Sequence, residues 1–131
     1  MTEALTEQEL AFLQAAFELA RNGDSATLSE YVDAGLPANL TNSGGDTLLI
    51  LAAYHVHADT VGALLERGAD TARINDKGQT ALAAAVFRQS TDIVTMLLAA
   101  GADPALGPRS AIEIAKFFEL PEMLALLESP R

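Results

Sequence analysis

The 131-residue chain contains no cysteine and no tryptophan, and aromatic residues make up only 5% of it. Without cysteine the chain has no disulfide, no thiolate zinc site and no cysteine nucleophile. Serine, histidine and carboxylate side chains are the groups that remain for catalysis. The length suits one domain, which we assign to residues 1–131.

Basic residues are also few, with 8 Lys and Arg against 18 Asp and Glu and a net charge of -10. Proteins hold phosphate backbones mostly through Lys and Arg, so we expect no nucleic-acid partner. The sequence has no run of about 18 apolar residues that would span a membrane. Its start lacks the basic and apolar segments of a secretory signal. These features predict a cytoplasmic protein that does not enter membranes.

Half of the residues are apolar, and they recur with a fixed period. Gly35, Gly68 and Gly101 are spaced 33 residues apart. Three apolar columns share this interval: Leu28, Val61 and Val94; Tyr31, Leu64 and Leu97; Val32, Leu65 and Leu98. A constant interval of this length is typical of a repeat architecture.

Each unit contains two predicted helices. Val61, Leu64 and Leu65 stand at i, i+3 and i+4, which places them on one face of a helix. Gly68 follows directly, where a left-handed helix end favours glycine. The unit is thus a short helix, a turn, a longer helix and an extended loop. Neither helix buries its apolar face alone, so the units are expected to stack into an all-α helical solenoid.

The segments GDTLLILAA (45–53) and LLERGAD (64–70) resemble the ankyrin repeat, as do GQTALAAA (78–85) and LLAAGAD (97–103). The resemblance implies an ankyrin-type solenoid of about four repeats with short hairpin loops. The first and last repeats are expected to act as caps. The expected repeats are 9–41, which is degenerate, then 42–74, 75–107 and the truncated 108–131.

Both ends of the array carry helix-capping signals. Thr6 to Glu9 and Ser110 to Glu113 fit the Ser/Thr-x-x-Glu capping box. Residues 1–5 and 128–131 are expected to be frayed, because they offer little to pack against the array.

The sequence contains few candidates for chemistry. His55 and His57, the only histidines, diverge on a helix at i, i+2, so we expect no metal site and no cofactor. The resemblance implies that His57 instead bridges loop backbone. Residues 43–46 carry a glycine doublet but lack the lysine of a phosphate-binding loop, which favours a hairpin tip. No Gly-x-Ser-x-Gly elbow is present, and we predict no enzymatic activity.

The resemblance implies that a partner protein binds the concave surface. Tyr54 and Phe87 share one column of the repeat, and aromatic side chains are favoured binding anchors. Alternatively, both rings pack beneath the following hairpin, and the last two phenylalanines seal the C-terminal end. By register, the candidate partner-binding residues are Ser43, Gly44, Asp46, Tyr54, His55, Asp76, Lys77, Gln79, Phe87, Arg88, Arg109, Phe117 and Phe118.

Positive charge is concentrated in the last two units, where an acidic partner segment is expected to bind. Five of the eight basic residues lie in or near the hairpins and first helices there: Arg73, Lys77, Arg88, Arg109 and Lys116.

We therefore predict a monomeric, non-enzymatic protein-binding module that scaffolds, inhibits or supports its partner. It is similar to small bacterial ankyrin proteins, and its preference for Arg over Lys agrees with a bacterial source. One alternative is small-ligand binding or hydrolysis around His55, Asp46 and Asp76. Another is self-association through Phe117 and Phe118.

Overall fold

The computed structural model describes residues 6–129. This part of the chain forms eight helices: α1 (Glu7–Asn22), α2 (Ser25–Asp33), α3 (Leu48–Tyr54), α4 (Ala58–Glu66), α5 (Ala81–Phe87), α6 (Thr91–Ala99), α7 (Ala111–Phe117) and α8 (Pro121–Glu128). Its only β-type pairing is one antiparallel bridge between Thr41 and Thr47. The predicted all-α class is confirmed. The fraying expected for residues 1–5 and 130–131 lies outside the described residues, whereas Glu128 ends a helix.

The helices pack in two layers. The first helices of each pair, α1, α3, α5 and α7, contact their neighbours in order, and α2, α4, α6 and α8 form the second layer. Ala52 and Ala85 in the first layer are fully buried, which lets the helix backbones approach closely. Leu64 and Leu97 in the second layer are also buried. The predicted helical solenoid is confirmed.

Helix starts are capped at the two predicted positions, Thr6 and Ser110, and also at Thr47 and Thr80; at Ser110 the hydrogen bond from the Glu113 N–H is formed without the reciprocal bond of a complete capping box. The side chains of Thr47, Thr80 and Ser110 accept hydrogen bonds from the backbone N–H three residues later, at 3.0, 3.1 and 3.2 Å. Thr6 and Glu9 form the complete capping box at the start of α1. These caps satisfy N–H groups that have no partner within the helix.

One local feature differs from the sequence expectation, and a second was not anticipated by it. The first helix of the first unit is long rather than short, with 16 residues from Glu7 to Asn22. It continues because no glycine or proline interrupts the segment after the capping box. The turn between paired helices also has a left-handed backbone at Val56, with φ of 62°. Gly23 holds the equivalent position in the first unit, with φ of 75°.

The hairpin tips before α3 and α5 are fixed by a pair of asparagines. Asn42 Oδ1 accepts from the N–H groups of Gly44 and Asp46, both at 3.0 Å. Asn75 Oδ1 accepts from the equivalent N–H groups two and four residues later, at 3.0 and 2.9 Å. The Asp76 N–H also donates to the carbonyl of Gly44 at 3.0 Å. Neighbouring tips are therefore held in register.

Candidate functional site

A groove of about 360 Å³ lies between the hairpin tips and the ends of the first-layer helices. It brings together about half of the residues predicted to bind a partner. Those lining the groove are Gly44, Asp46, Tyr54, His55, Asp76, Lys77 and Gln79. Ser43, Phe87, Arg88, Arg109, Phe117 and Phe118 lie outside its lining. The groove is bounded in part by α1, which the register analysis did not include.

Beside the groove, four aromatic side chains form a continuous series that we call the aromatic row: Tyr54, Phe87, Phe118 and Phe117. The rings of Tyr54 and Phe87 are stacked with centroids 6.3 Å apart. The ring of Phe118 meets Phe87 edge-on at 5.4 Å. Phe117 meets Phe118 in the same way at 4.9 Å. Side chains from three successive helix ends thus form one apolar strip.

The aromatic row is exposed. Tyr54 is 42% exposed, Phe87 40% and Phe118 46%, while Phe117 reaches 79%. The alternative in which Phe117 and Phe118 seal the C-terminal end is therefore wrong for Phe117. Its position at the end of α7 directs it away from the core that Ala111 and Ala115 of the same helix enter. The role of the row in binding stays a prediction.

Arg88 lies against the row. Its Nη1 donates a hydrogen bond to the backbone carbonyl of Tyr54 at 2.8 Å. Its guanidinium carbon is 5.4 Å from the centre of the Tyr54 ring, within the range of a cation–π interaction. A positive charge is thus held at a fixed position beside two exposed rings.

His55 occupies a positively charged part of the groove. Its ring contacts Tyr54 edge-on at 5.2 Å. Although His55 is exposed, desolvation by its neighbours lowers its pKa, and the proximity of His57, Arg21 and Arg88 lowers it further, against a smaller opposing effect of Glu18. Desolvation and positive neighbours both disfavour the protonated ring.

The carboxylates of the groove are not arranged around this imidazole. Asp46 Oδ1 accepts from the side chain of Asn75 at 2.9 Å. Within residues 6–129, neither Asp46 nor Asp76 hydrogen-bonds to His55, and no group of three or more His, Asp or Glu side chains is placed to hold a metal ion. A His–carboxylate pair of the kind that orients a general base is therefore not formed there.

His57 has the bridging position that the family resemblance implies. Its Nε2 donates to the backbone carbonyl of Arg21 at 2.7 Å, joining α4 to the end of α1. The imidazole also covers Gly23, where an added Cβ would lie 2.6 Å from a ring atom. This histidine links two repeats.

Two residues of the site were missed by the register analysis. Arg21 lines the groove and forms an ion pair with Glu18. Asn75 is nearly buried and fixes the second hairpin tip. A signal for Asn75 was present, because it stands one full repeat after Asn42. Arg21 had no such signal, since the degenerate first unit has few aligned columns.

Among the basic residues predicted to meet an acidic partner, Arg73 lies outside the lining of the groove. Its Nε donates to the carboxylate of Asp70 at 3.2 Å in the loop before the hairpin. Lys77 lines the groove, while Arg109 lies in the next hairpin and is exposed. In the described part of the chain, no helix is long and apolar enough to cross a membrane.

Comparison with known proteins identifies the repeats. A family model for ankyrin repeats, in three copies, matches residues 14–106. A stretch of 50 residues is 54% identical to a Pseudomonas aeruginosa protein named for its ankyrin repeats, covering 38% of this chain. The match spans 29% of that protein's length. This relative supports a bacterial origin. Since the family model covers more than half of a chain that folds as stacked helix pairs, the protein belongs to the ankyrin repeat family.

Proposed function

We propose that this chain is a non-enzymatic module that binds a partner protein through its concave surface, which consists of the groove and the aromatic row. Ankyrin repeats generally mediate protein–protein interaction. The observation that carries the proposal is the aromatic row, in which four neighbouring rings are each at least 40% exposed. Contiguous exposed apolar groups on a soluble protein are typical of an interaction site, and aromatic side chains are frequent binding hot spots.

The geometry favours tight binding because the surface is already ordered. The hairpin tips are held by the side chains of Asn42 and Asn75 and by the backbone bond from Asp76 to Gly44. Arg88 is fixed to the Tyr54 carbonyl. A partner therefore has few loops and side chains to immobilise, which reduces the entropic cost of association.

The proposed domain comprises all four repeats. The three copies in the family model end at residue 106. The pair α7 and α8 follows, packs on α5 and α6, and is proposed as the truncated fourth repeat at 108–131. It contributes Phe117 and Phe118 to the aromatic row. Through binding by all four repeats, the protein would scaffold, inhibit or support its partner.

Affinity capture from the native lysate tests this proposal. The wild-type chain is compared with the triple variant Tyr54→Ala, Phe87→Ala, Arg88→Glu by quantitative mass spectrometry. One protein should be retained by the wild type and reduced at least tenfold on the variant. Equal recovery of every captured protein on both baits would contradict binding at the aromatic row.

A matched control separates the row from aromatic surface in general. Phe12 is 41% exposed, almost the same as Phe87, but lies in α1 and stacks on Tyr31. The Phe12→Ala variant should retain the partner at the wild-type level. Thermal unfolding followed by circular dichroism establishes that all variants are folded before capture.

Small-ligand binding in the groove is a second candidate. It is favoured by the groove's volume of about 360 Å³ and by the lowered pKa of His55. A panel of small polar fragments, followed by the backbone amide NMR signals of the groove residues, tests it. Saturable shifts that disappear in His55→Gln would support this function. An unchanged spectrum would exclude binding of the chemical groups that the panel contains.

A further inference from the structure

The spacing of the aromatic row indicates the shape of the segment that covers it. Consecutive ring centroids from Tyr54 to Phe87 and from Phe87 to Phe118 are 6.3 and 5.4 Å apart. One turn of an α-helix rises about 5.4 Å, and its i and i+4 side chains are about 5–6 Å apart. Alternate residues of a strand are about 6.7 Å apart. The Phe87–Phe118 distance matches one helical turn, the Tyr54–Phe87 distance lies between the helical and strand values, and the mean of the two is nearer to the helical spacing.

The partly covered rings leave apolar surface free on their outer side. Phe87 and Phe118 meet edge-on, whereas Tyr54 and Phe87 are parallel. Each of the three rings is 40–46% exposed, so its base is packed while its outer part is free. Apolar side chains one helical turn apart would insert beside successive rings and remove this surface from water.

Basic side chains flank most of the row, although the chain carries 18 acidic and 8 basic residues, and Glu119 is the one acidic residue next to a row ring in the sequence. Arg88 lies over Tyr54, and Lys116 directly precedes Phe117 in α7. Arg21 lines the groove beside Tyr54, and its carboxylate partner is Glu18. An acidic segment would meet attractive charge here and repulsive charge over most of the remaining surface.

The permanent charges that act on the His55 imidazole are those of Arg21, Arg88 and Glu18. Asp46 and Asp76 also line the groove. The side chain of Asn75 hydrogen-bonds to Asp46. Arg88 is therefore the cation at the row end of the groove that has no carboxylate partner among the described ion pairs, whereas Asp46 and Asp76 belong to the hairpin tips.

We infer that the aromatic row and the cations beside it bind an acidic amphipathic helix of the partner, with its apolar side chains one turn apart on the row and its carboxylates facing Arg88 and Lys116. This inference rests on the proposed protein-binding function and adds the chemistry of the bound segment. Segments that bind here should share apolar side chains at i, i+4 and i+7 and acidic residues along one flank of the helix.

A displayed library of random peptides, each long enough for about four helical turns, tests the inference without knowledge of the partner. The library is selected on the full chain and then compared on four variants. Phe87→Ala and Arg88→Gln each remove one feature of the row. Phe12→Ala and Arg73→Gln remove an equally exposed ring and one positive charge elsewhere.

The expected result is enrichment of acidic peptides with apolar residues at helical spacing. Their binding should weaken at least tenfold in Phe87→Ala and about threefold or more in Arg88→Gln, with little change in the two controls. Basic or neutral consensus sequences, apolar residues at alternate positions, or equal loss in Phe12→Ala would overturn the inference. The inference would also be overturned if no enriched peptide depended on the aromatic row for binding. The lysate capture tests the proposed function separately, because a partner of different chemistry would still be retained there.

Discussion

The Tyr54 and Phe87 rings are nearly parallel, with 7° between their planes and 6.3 Å between their centroids, although they belong to different repeats. Each ring stands on the last residue of a first-layer helix, at the end of α3 and of α5. Stacking of equivalent helices turns one sequence column into a line of neighbouring side chains. The aromatic row therefore runs along the axis of the solenoid.

Removal of buried leucines should destabilise the array strongly. Leu64 is 1% exposed and Leu97 is fully buried, so either change to Ala leaves a cavity between repeats. We predict that Leu64→Ala or Leu97→Ala lowers the free energy of unfolding by about 2–5 kcal/mol. Urea denaturation followed by circular dichroism measures this change.

The exposed Leu10 gives the matched control. It is 47% exposed in α1, so Leu10→Ala should cost less than about 1 kcal/mol, because little surface is buried there. A loss below about 1 kcal/mol in both buried variants as well would contradict the assigned packing.

Relief of backbone strain should stabilise the second repeat. Val56 adopts φ of 62°, a left-handed conformation that is unfavourable for a β-branched residue. Gly23 fills the equivalent position in the first repeat. We predict that Val56→Gly raises the free energy of unfolding by about 1 kcal/mol, after the entropic cost of glycine in the unfolded chain.

A second variant tests the origin of this gain. Gln89 has φ of 57° at the corresponding turn but no branch at Cβ. Gln89→Gly should therefore stabilise the protein less than Val56→Gly does. A decrease in the midpoint of urea unfolding for Val56→Gly would show that packing of the valine outweighs its strain.

His55 should make stability depend on pH. Desolvation and the positive neighbours lower its pKa in the folded state below the ordinary value of 6.5. The unfolded chain then binds more protons between the two pKa values, so the free energy of unfolding falls as the pH drops through about 6.5. His55→Gln should remove this part of the slope. Unfolding curves at intervals from about pH 7.5 to 5.5 measure it, and identical slopes in both proteins would refute the assignment.

The repeated parts of the chain could be predicted from the sequence, and the reason is physical. Each repeat buries the same positions against its neighbour, so the regularly spaced glycine and leucine columns mark the helix pairs directly. The predicted caps at Thr6 and Ser110 follow from local hydrogen bonding. Such features depend on few residues close in sequence.

The site was less accessible from the sequence. Tyr54 and Phe87 share a column, but it is Phe118 from the next column, not the equivalent Phe117, that contacts Phe87. Arg21 reaches the groove from the degenerate first repeat, where few columns guide an alignment. The exposure of Phe117 depends on which residues pack at the end of the array, and the local sequence pattern does not specify those residues.

The protein should remain monomeric despite this exposed ring. Two copies that paired through their aromatic rows would bring Arg88 and Lys116 of each copy together, and each chain carries a net charge of -10. Sedimentation velocity at concentrations from micromolar to about one hundredfold higher should give a single monomer mass. A mass that rises with concentration in the wild type, but not in Phe117→Ser, would instead establish self-association through the C-terminal repeat.

Site-specific photo-crosslinking tests the central claim most directly. The photoreactive residue p-benzoylphenylalanine is placed at Phe87 in the row or, as the control, at the equally exposed Phe12. Both proteins are irradiated in the native lysate and analysed by mass spectrometry. We predict a crosslink from Phe87 to one partner protein, through an acidic segment, and none from Phe12 to that partner. A partner crosslinked at Phe12 and not at Phe87 would contradict binding at the aromatic row.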